Sequence, residues 1–223
     1  MGFAHAADDR AFYVSLGLGE VDPGTSDFNA SNNVQLPGDD FETIVNEEID
    51  LDPTGSVAFS ALVGWQAKDL LAFELEYALQ HNDFDDDVVD DDFDGAFLFG
   101  LGPNYSVDLV SINAVVGTKV ERGFRPYAGV GVGVMSFRPN EDQLDGFDGE
   151  TVAGYQLKAG VEYNFANGLF VGFQARHMAG LEEFERSFSR DVLQPGGGTV
   201  ATTLEESIDY SGRDVVMTAG FRF

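Results

Sequence analysis

The sequence predicts an all-β fold, namely an eight-stranded antiparallel up-and-down transmembrane β-barrel, and three observations lead to it. Eight segments of about 9 to 13 residues alternate between apolar residues and small or polar ones, which places the two sets on opposite faces of a strand. The links between the segments are alternately long and short. The long links also hold 29 of the 39 acidic residues. Long loops on one side and short turns on the other are typical of a membrane barrel.

The eight alternating segments each have the length that a tilted membrane strand needs. In chain order they span residues 12–20, 56–66, 70–81, 106–118, 126–138, 151–163, 169–180 and 215–223. In each segment one parity carries the apolar side chains, and we expect this set to face lipid. In chain order it is Phe12, Val14, Leu16 and Leu18; Val57, Phe59, Ala61, Val63 and Trp65; Leu71, Phe73, Leu75, Tyr77 and Leu79; Val110, Ile112, Ala114 and Val116; Ala128, Val130, Val132 and Val134; Ala153, Tyr155, Leu157, Ala159, Val161 and Tyr163; Leu169, Val171, Phe173 and Ala175; and Val215, Met217, Ala219, Phe221 and Phe223.

The fifth segment carries glycine at three alternate positions, Gly129, Gly131 and Gly133. Glycine weakens an ordinary strand, so its repetition on one face needs a reason. We expect bulky groups to approach these glycines closely from across a narrow interior. The eighth segment alternates down to its terminal Phe223, with Val216 as the one apolar residue on the opposite parity.

The connections differ in length and in charge. The long links span 21–55, 82–105, 139–150 and 181–213, and the short ones span 67–69, 119–125 and 164–168. The long links contain only three basic residues, whereas the short turns and their edges carry Lys68, Lys119, Arg122 and Arg125. We therefore expect the acidic loops to face the cell exterior and the short turns to face the periplasm, together with both chain ends.

Composition excludes several classes of protein. Apolar residues make up 43% of the 223, but no run approaches the 18 that a transmembrane helix needs. The chain has no cysteine, so it can form neither disulfides nor thiolate metal sites. Its net charge of −27 excludes nucleic acid as a partner, since little in the chain could neutralise phosphates.

The first residues differ from the rest of the chain. The sequence Ala4-His5-Ala6 has the small-x-small pattern that precedes a signal-peptide cleavage site. We therefore expect residues 1–11 to be the remainder of a secretory cleavage region. Residues 12–223 are then the barrel domain.

Several short segments together resemble one family. They are Tyr-Val-Ser-Leu-Gly-Leu-Gly at 13–19, Phe-Glu-Leu-Glu-Tyr at 73–77, Arg-Pro-Tyr-Ala-Gly-Val-Gly-Val-Gly at 125–133, Gly-Val-Glu-Tyr at 160–163 and Gly-Phe-Arg-Phe at 220–223. In order and spacing they resemble the small bacterial outer-membrane β-barrels, often called the porin family, which include opacity-type surface proteins and the OmpA transmembrane domain. The resemblance implies an outer-membrane location in a Gram-negative cell. It also implies that Phe221 and Phe223 form a C-terminal signal for the barrel-assembly machinery.

The inward parity predicts a polar interior. An eight-stranded barrel is just wide enough for side chains to fill it, and buried charges must pair. We expect a network of ion pairs and hydrogen bonds in which Glu74 and Glu76 pair with Lys158 or Arg176. The predicted members are Glu74, Glu76, Asn113, Gln156, Lys158, Glu162, Gln174, Arg176 and Arg222. Two hypotheses remain open: the network fills the lumen, or it rearranges to open a small gated pore.

An aspartate tract in the second long link raises the question of metal binding. Asp83, Asp85, Asp87 and Asp94 have the spacing of EF-hand ligands, but Val88 stands where that loop needs glycine. The tract is therefore not an EF-hand. Such carboxylates are expected to attract Ca²⁺ or Mg²⁺ weakly, and the alternative is a solvated, self-repelling loop. No other cofactor is predicted.

Two further alternatives concern fold and activity. A soluble barrel of the lipocalin type would bury the large apolar set and expose the small polar set, whose glycine-rich face is poorly suited to solvent. An enzyme acting on lipids would need a His–Ser pair at the outer rim. The three histidines are His5, His81 and His177, and parity points His177 towards lipid, with Ser187 and Ser189 nearby in sequence. We predict that the protein is not an enzyme.

The sequence thus predicts an integral outer-membrane barrel that acts through its acidic loops or by stabilising the envelope. The expected partners are outer-membrane lipid, lipopolysaccharide and the barrel-assembly machinery. A negative surface also favours a cationic ligand or an extracellular protein. We expect the barrel to be a monomer.

Overall fold

The structure is a computed structural model that describes residues 11–22, 26–34, 42–51, 53–84, 104–139, 151–193 and 199–223. The described residues form twelve strands. They are β1 (Phe12–Asp22), β2 (Ser26–Val34), β3 (Glu42–Leu51), β4 (Pro53–Lys68), β5 (Leu71–Phe84), β6 (Asn104–Gly117), β7 (Gly123–Pro139), β8 (Thr151–Asn164), β9 (Leu169–Gly180), β10 (Phe184–Leu193), β11 (Thr199–Ile208) and β12 (Ser211–Arg222). Among these residues no helix is long and apolar enough to cross a membrane.

Eight of the strands close into one antiparallel barrel, in the order β1-β12-β9-β8-β7-β6-β5-β4. Each barrel strand pairs with the next one along the chain, and β1 pairs with β12 to close the ring. The predicted eight-stranded up-and-down barrel is therefore confirmed. The closing seam is fixed at its end by two backbone hydrogen bonds, in which the N–H groups of Phe12 and Phe223 donate to each other's carbonyl oxygens at 3.1 and 2.8 Å.

Two hairpins were not predicted. Strands β2 and β3 pair within the first long connection, and β10 and β11 pair within the last one. Both regions were predicted to be long loops, because polar and charged residues interrupt the alternation of their apolar residues. Strand β2 also lies beside β11, so the two hairpins approach each other at the end of the barrel that carries the long connections.

The outward face of the barrel is apolar. Ile112, Val132 and Leu18 are 66, 61 and 63% exposed. Apolar residues are also exposed on every other barrel strand. On β7 ten residue steps separate Phe124 from Val134, and at about 3.3 Å per step and a tilt of about 40° they span about 25 Å. This height matches the apolar band of an outer-membrane barrel. The soluble-barrel alternative is wrong, because such a barrel would bury these side chains.

Aromatic side chains surround the end of the barrel with the short turns. Trp65 stacks on Phe73 with ring centroids 6.2 Å apart, and Tyr163 contacts both Phe124 and Phe165 at 5.1 and 5.0 Å. Aromatic rings favour the boundary between hydrocarbon and water because one end is apolar and the other polar. This belt therefore marks the periplasmic boundary of the membrane.

The glycines of β7 leave room for neighbouring side chains, although not from the direction that we predicted. A Cβ at Gly131 would lie 1.7 Å from Asn113 Oδ1 and 3.2 Å from Gln156 Cγ. Both residues are register partners of Gly131, on β6 and β8 respectively. The approaching groups thus come from the adjacent strands and not from the far wall. Asn113 and Gln156 meet above Gly131, where Gln156 Nε2 donates to Asn113 Oδ1 at 2.7 Å.

We predict that Gly131→Val destabilises the barrel by about 1–3 kcal/mol, because the new side chain overlaps Asn113 and forces the polar interior apart. The urea dependence of the heat-sensitive gel shift measures this loss. The matched control is Ala128→Val on the lipid-facing side of the same strand, which should leave the midpoint nearly unchanged. Equal midpoints for the two variants would contradict the tight packing of Gly131.

Candidate functional site

The lumen of the barrel is the largest concentration of polar side chains in the described part of the chain. The nine residues that the sequence analysis assigned to it are all buried. They are Glu74, Glu76, Asn113, Gln156, Lys158, Glu162, Gln174, Arg176 and Arg222. Alternation positions them, since each has the parity opposite to the exposed apolar residues of its strand. They fall into two clusters, one central and one periplasmic.

Glu76 is the hub of the central cluster. Its carboxylate accepts hydrogen bonds from Lys158 Nζ at 2.7 Å and from Arg176 Nη1 at 3.1 Å. The amides of Asn113 and Gln156 also donate to it, at 2.9 and 3.0 Å. Four donors from three strands besides its own therefore converge on one carboxylate. Such a fully satisfied buried group holds its surroundings in one arrangement.

The cluster continues in both directions along the barrel axis. Towards the periplasm, Lys158 also pairs with Glu74, which accepts a 2.5 Å hydrogen bond from the hydroxyl of Tyr13. Towards the exterior, Arg176 donates twice to Asp214, at 2.6 and 2.9 Å. One connected network thus extends along the lumen.

The periplasmic cluster is centred on Glu162. Its carboxylate accepts from Arg222 Nη2 at 2.5 Å and from Arg125 Nη1 at 3.3 Å. The Arg222 guanidinium also lies over the rings of Tyr13 and Phe170, 4.5 and 4.9 Å from their centroids. Cation–π contact and ion pairing together close this end of the lumen.

An apolar layer closes the outer end. It consists of Ala78, Tyr105, Val107, Leu109, Met135, Phe137, Met178, Phe184 and Tyr210, all 5% exposed or less. Tyr105 stacks on Phe137 at 5.3 Å, and Phe137 packs against Phe184 at 5.8 Å. Tyr210 donates to Gln80, whose amide in turn donates to Asp214 at 2.7 Å. This contact joins the apolar layer to the ionic network below it.

The charges inside the lumen balance. Among the described side chains, four acids and four bases are buried there: Glu74, Glu76, Glu162 and Asp214, and Arg125, Lys158, Arg176 and Arg222. The interior is therefore formally neutral. The whole net charge of −27 lies elsewhere in the chain.

A small cavity of about 20 Å³ lies between the two clusters, lined in part by Glu74, Arg125 and Gln174. Nη2 of Arg125 and Nε2 of Gln174 are buried donors without a protein acceptor. This volume is about that needed for one water.

Sequence reasoning missed two charged members of the network. Arg125 was assigned to a short turn, but β7 begins at Gly123 and Arg125 is 2% exposed inside the lumen. Asp214 fell between the last long link and the last predicted segment, but β12 begins at Ser211 and Asp214 is 1% exposed. Parity was the available signal, because both residues continue the inward set of their strands. The strand ends were drawn too short to use it.

Two polar groups lie on the outward face at the outer rim. Asp108 is 6% exposed and accepts from both the Tyr77 hydroxyl and Arg138. Nearby, Nδ1 of His81 lies 2.9 Å from Ser106 Oγ, and its Nε2 lies 3.5 Å from Asp83 Oδ1. Sequence reasoning named His81 but not its cross-strand partner Ser106, because strand register was unknown.

The remaining predicted residues have varied positions. Asp83 is on β5, whereas Asp85, Asp87 and Asp94 lie outside the described residues. Among the described residues no group of three or more acidic or histidine side chains could hold a metal ion.

His177 faces outward on β9, with Nε2 3.4 Å from the Tyr155 hydroxyl. The side chains of Ser187 and Ser189 are outside the described part, and so is His5. Phe221 and Phe223 are exposed on the outer face, 41 and 57%.

A closed membrane barrel with a neutral, packed lumen is the class of protein that these observations define. The family model of the outer membrane protein beta-barrel domain matches residues 1–223. The chain belongs to this family and is an integral β-barrel protein of the Gram-negative outer membrane.

Solved structures agree with this fold. The outer membrane protein OprG of Pseudomonas aeruginosa matches with a TM-score of 0.54 at 14% identity, covering 95% of each chain. The neisserial surface protein A matches with a TM-score of 0.50 at 12% identity, covering 95% of this chain and 97% of that one. At these identities the likeness shows the fold alone. No curated protein sequence matches the chain significantly.

We predict that Glu76→Gln destabilises the barrel by about 3–5 kcal/mol, because Lys158 and Arg176 each lose one of their two carboxylate partners and the lumen keeps one uncompensated positive charge. Urea titration of refolded protein, followed by the gel shift, measures the effect. The control is Lys119→Gln, which removes an exposed pair with Asp69 at 3.8 Å and should change little. A Glu76→Gln midpoint equal to that of the control would contradict the central role of this carboxylate.

Proposed function

We propose that the protein is a closed, non-conducting and non-enzymatic scaffold that presents its acidic loops outside the cell. The observation that carries this proposal is the filling of the lumen by three successive layers. They are the periplasmic cluster around Glu162, the central cluster around Glu76 and the apolar layer around Phe137. A barrel filled in this way serves as a rigid membrane anchor.

The outer apolar layer distinguishes this proposal from a gated pore. Breaking the ion pairs of Glu76 would leave its buried carboxylate without a cation, at a cost of about 3–5 kcal/mol. Even then, a permeating ion would meet the packed rings of Tyr105, Phe137 and Phe184, which offer it no compensating charge. Conduction would require both layers to move together.

The loops supply the chemical character of the outer surface. The long connections hold 29 acidic residues against three basic ones. Because the lumen is neutral, this charge is not used to hold the barrel together. A negatively charged surface attracts cationic ligands or basic protein surfaces and repels anionic ones. We propose a cationic ligand or an extracellular protein with a basic surface as the partner.

The membrane-facing partners follow from the outer wall. Its apolar band is in contact with outer-membrane lipid, and the rim lies at the level of lipopolysaccharide. We propose that Phe221 and Phe223, exposed at the closing seam, are read by the barrel-assembly machinery. We also propose that the barrel is a monomer, since its eight strands are closed and leave no unpaired barrel edge.

Among the described residues, the Ser106–His81–Asp83 group is the arrangement that favours an enzyme as a second candidate. The described residues around it supply no free donor to stabilise an oxyanion. Strand β6 is paired on both sides, so its backbone N–H groups are used in the sheet. Arg138, the register partner of Ser106, is already bound to Asp108. We therefore propose that this group is structural.

We predict that refolded protein gives no discrete conductance steps in a planar lipid bilayer. Arg176→Gln should also remain silent, because it disrupts the ionic layer but leaves the outer apolar layer in place. The heat-dependent gel shift confirms that each sample is folded, and an open porin serves as the positive control. Steps from folded wild type, or steps created by Arg176→Gln, would overturn the closed lumen in favour of a gated pore.

We predict that a fluorophosphonate probe does not label Ser106 and that phospholipid vesicles release no fatty acid in the presence of the protein. Mass spectrometry of the labelled protein and a fatty-acid assay measure these two results. Ser106→Ala is the matched control and should behave as wild type does. Labelling that disappears in Ser106→Ala would show a reactive serine and refute the non-enzymatic proposal.

A further inference from the structure

The outer wall of the barrel has a depression across β8, β9 and β12. It has a volume of about 380 Å³. Its floor is formed by two small residues, Ala159 and Ala175, which are register partners on β8 and β9. Leu157 and Val215 form its sides, and His177 and Arg213, themselves register partners, stand at its outer end. The depression is thus apolar along its length and polar at one end.

Its polar end lies at the level of the lipid headgroups. On β12 the exposed apolar residues Phe221, Met217 and Val215 are followed towards the exterior by Arg213. The depression therefore opens into the outer leaflet, with its apolar floor among the acyl chains. Arginine at this height can reach a phosphate while its stem lies along apolar surface.

Arg213 is exposed, and no described side chain forms an ion pair with it. Its register partner on β1 is Asp22, which lies on the side of β12 away from the depression. By contrast, the outward-facing Arg138 is held by Asp108. His177 stands beside Arg213, and its ring packs edge-on against Tyr155 with centroids 5.9 Å apart. Among the described residues, Arg213 thus has no acceptor that the protein itself supplies.

We propose that this depression is a binding site for one phosphorylated, acylated lipid of the outer leaflet, the lipid anchor of lipopolysaccharide. An acyl chain lies over Ala159 and Ala175, and a phosphate accepts hydrogen bonds from Arg213. Because a membrane offers no hydrophobic gain for moving a chain from lipid to a groove, the phosphate contact supplies most of the selectivity. The site is independent of whether the lumen conducts.

Native mass spectrometry of the detergent-refolded full chain, titrated with purified lipid A, tests the proposal. We expect one bound lipid A, and about tenfold weaker binding for Arg213→Gln, since a charge-assisted contact of about 1.4 kcal/mol corresponds to this factor. Ala175→Phe, which fills the floor, should weaken binding similarly. The matched controls lie on β6 and β7, outside the depression: Arg138→Gln and Ala114→Phe should stay within about twofold of wild type.

Further measurements identify the source of the phosphate and verify that the variants are folded. Dephosphorylated lipid A and inorganic phosphate should each bind far more weakly than lipid A, and Arg213→Lys should restore part of the affinity. The gel shift verifies that every variant is folded. Equal loss in Arg138→Gln and Arg213→Gln would overturn the proposal in favour of unspecific attraction. Equal binding of lipid A and its dephosphorylated form would overturn the role of Arg213. Binding of inorganic phosphate as tight as that of lipid A would overturn the role of the groove.

Discussion

Charge inside an eight-stranded barrel must be neutralised within the lumen, and the rest of this structure depends on that constraint. The lumen is too narrow for bulk water, so an unpaired charge there would cost several kcal/mol. Glu76 is the centre of this charge neutralisation, because two cations and two amides converge on it. The lumen is consequently both neutral and filled, and its closure follows from the same contacts that make the charges tolerable.

The glycines of β7 show how the backbone accommodates this network. Asn113 and Gln156 extend from β6 and β8 over Gly131, and any side chain at that position would occupy the space in which their amides meet. A position that is unfavourable for strand stability therefore permits the hydrogen bonds that satisfy Glu76. Strand propensity and interior packing conflict at this site, and packing prevails.

Period-two alternation was sufficient to predict the eight barrel strands and the nine interior residues, because lipid and lumen impose opposite polarity on alternate side chains. It did not reveal the ion pairs, because without the strand register either Lys158 or Arg176 could pair with Glu74 or Glu76. It also missed Arg125 and Asp214, because the predicted segments began one residue after each of them. The hairpins β2–β3 and β10–β11 were missed because outside the membrane no continuous apolar face is required, so polar residues interrupt their alternation.

Because the charges of the lumen and of the loops are separate, the loop surface can vary without affecting the lumen. The interior cancels its own charge, and the net −27 resides outside it, so a change in loop charge does not disturb the pairs around Glu76 and Glu162. Substitutions at distant sites that share no partner act independently. The loops can therefore change their composition, and with it the charge that they present to any partner, while the barrel remains constant. Because its lumen is packed and neutral, a small barrel can carry a strongly acidic outer surface.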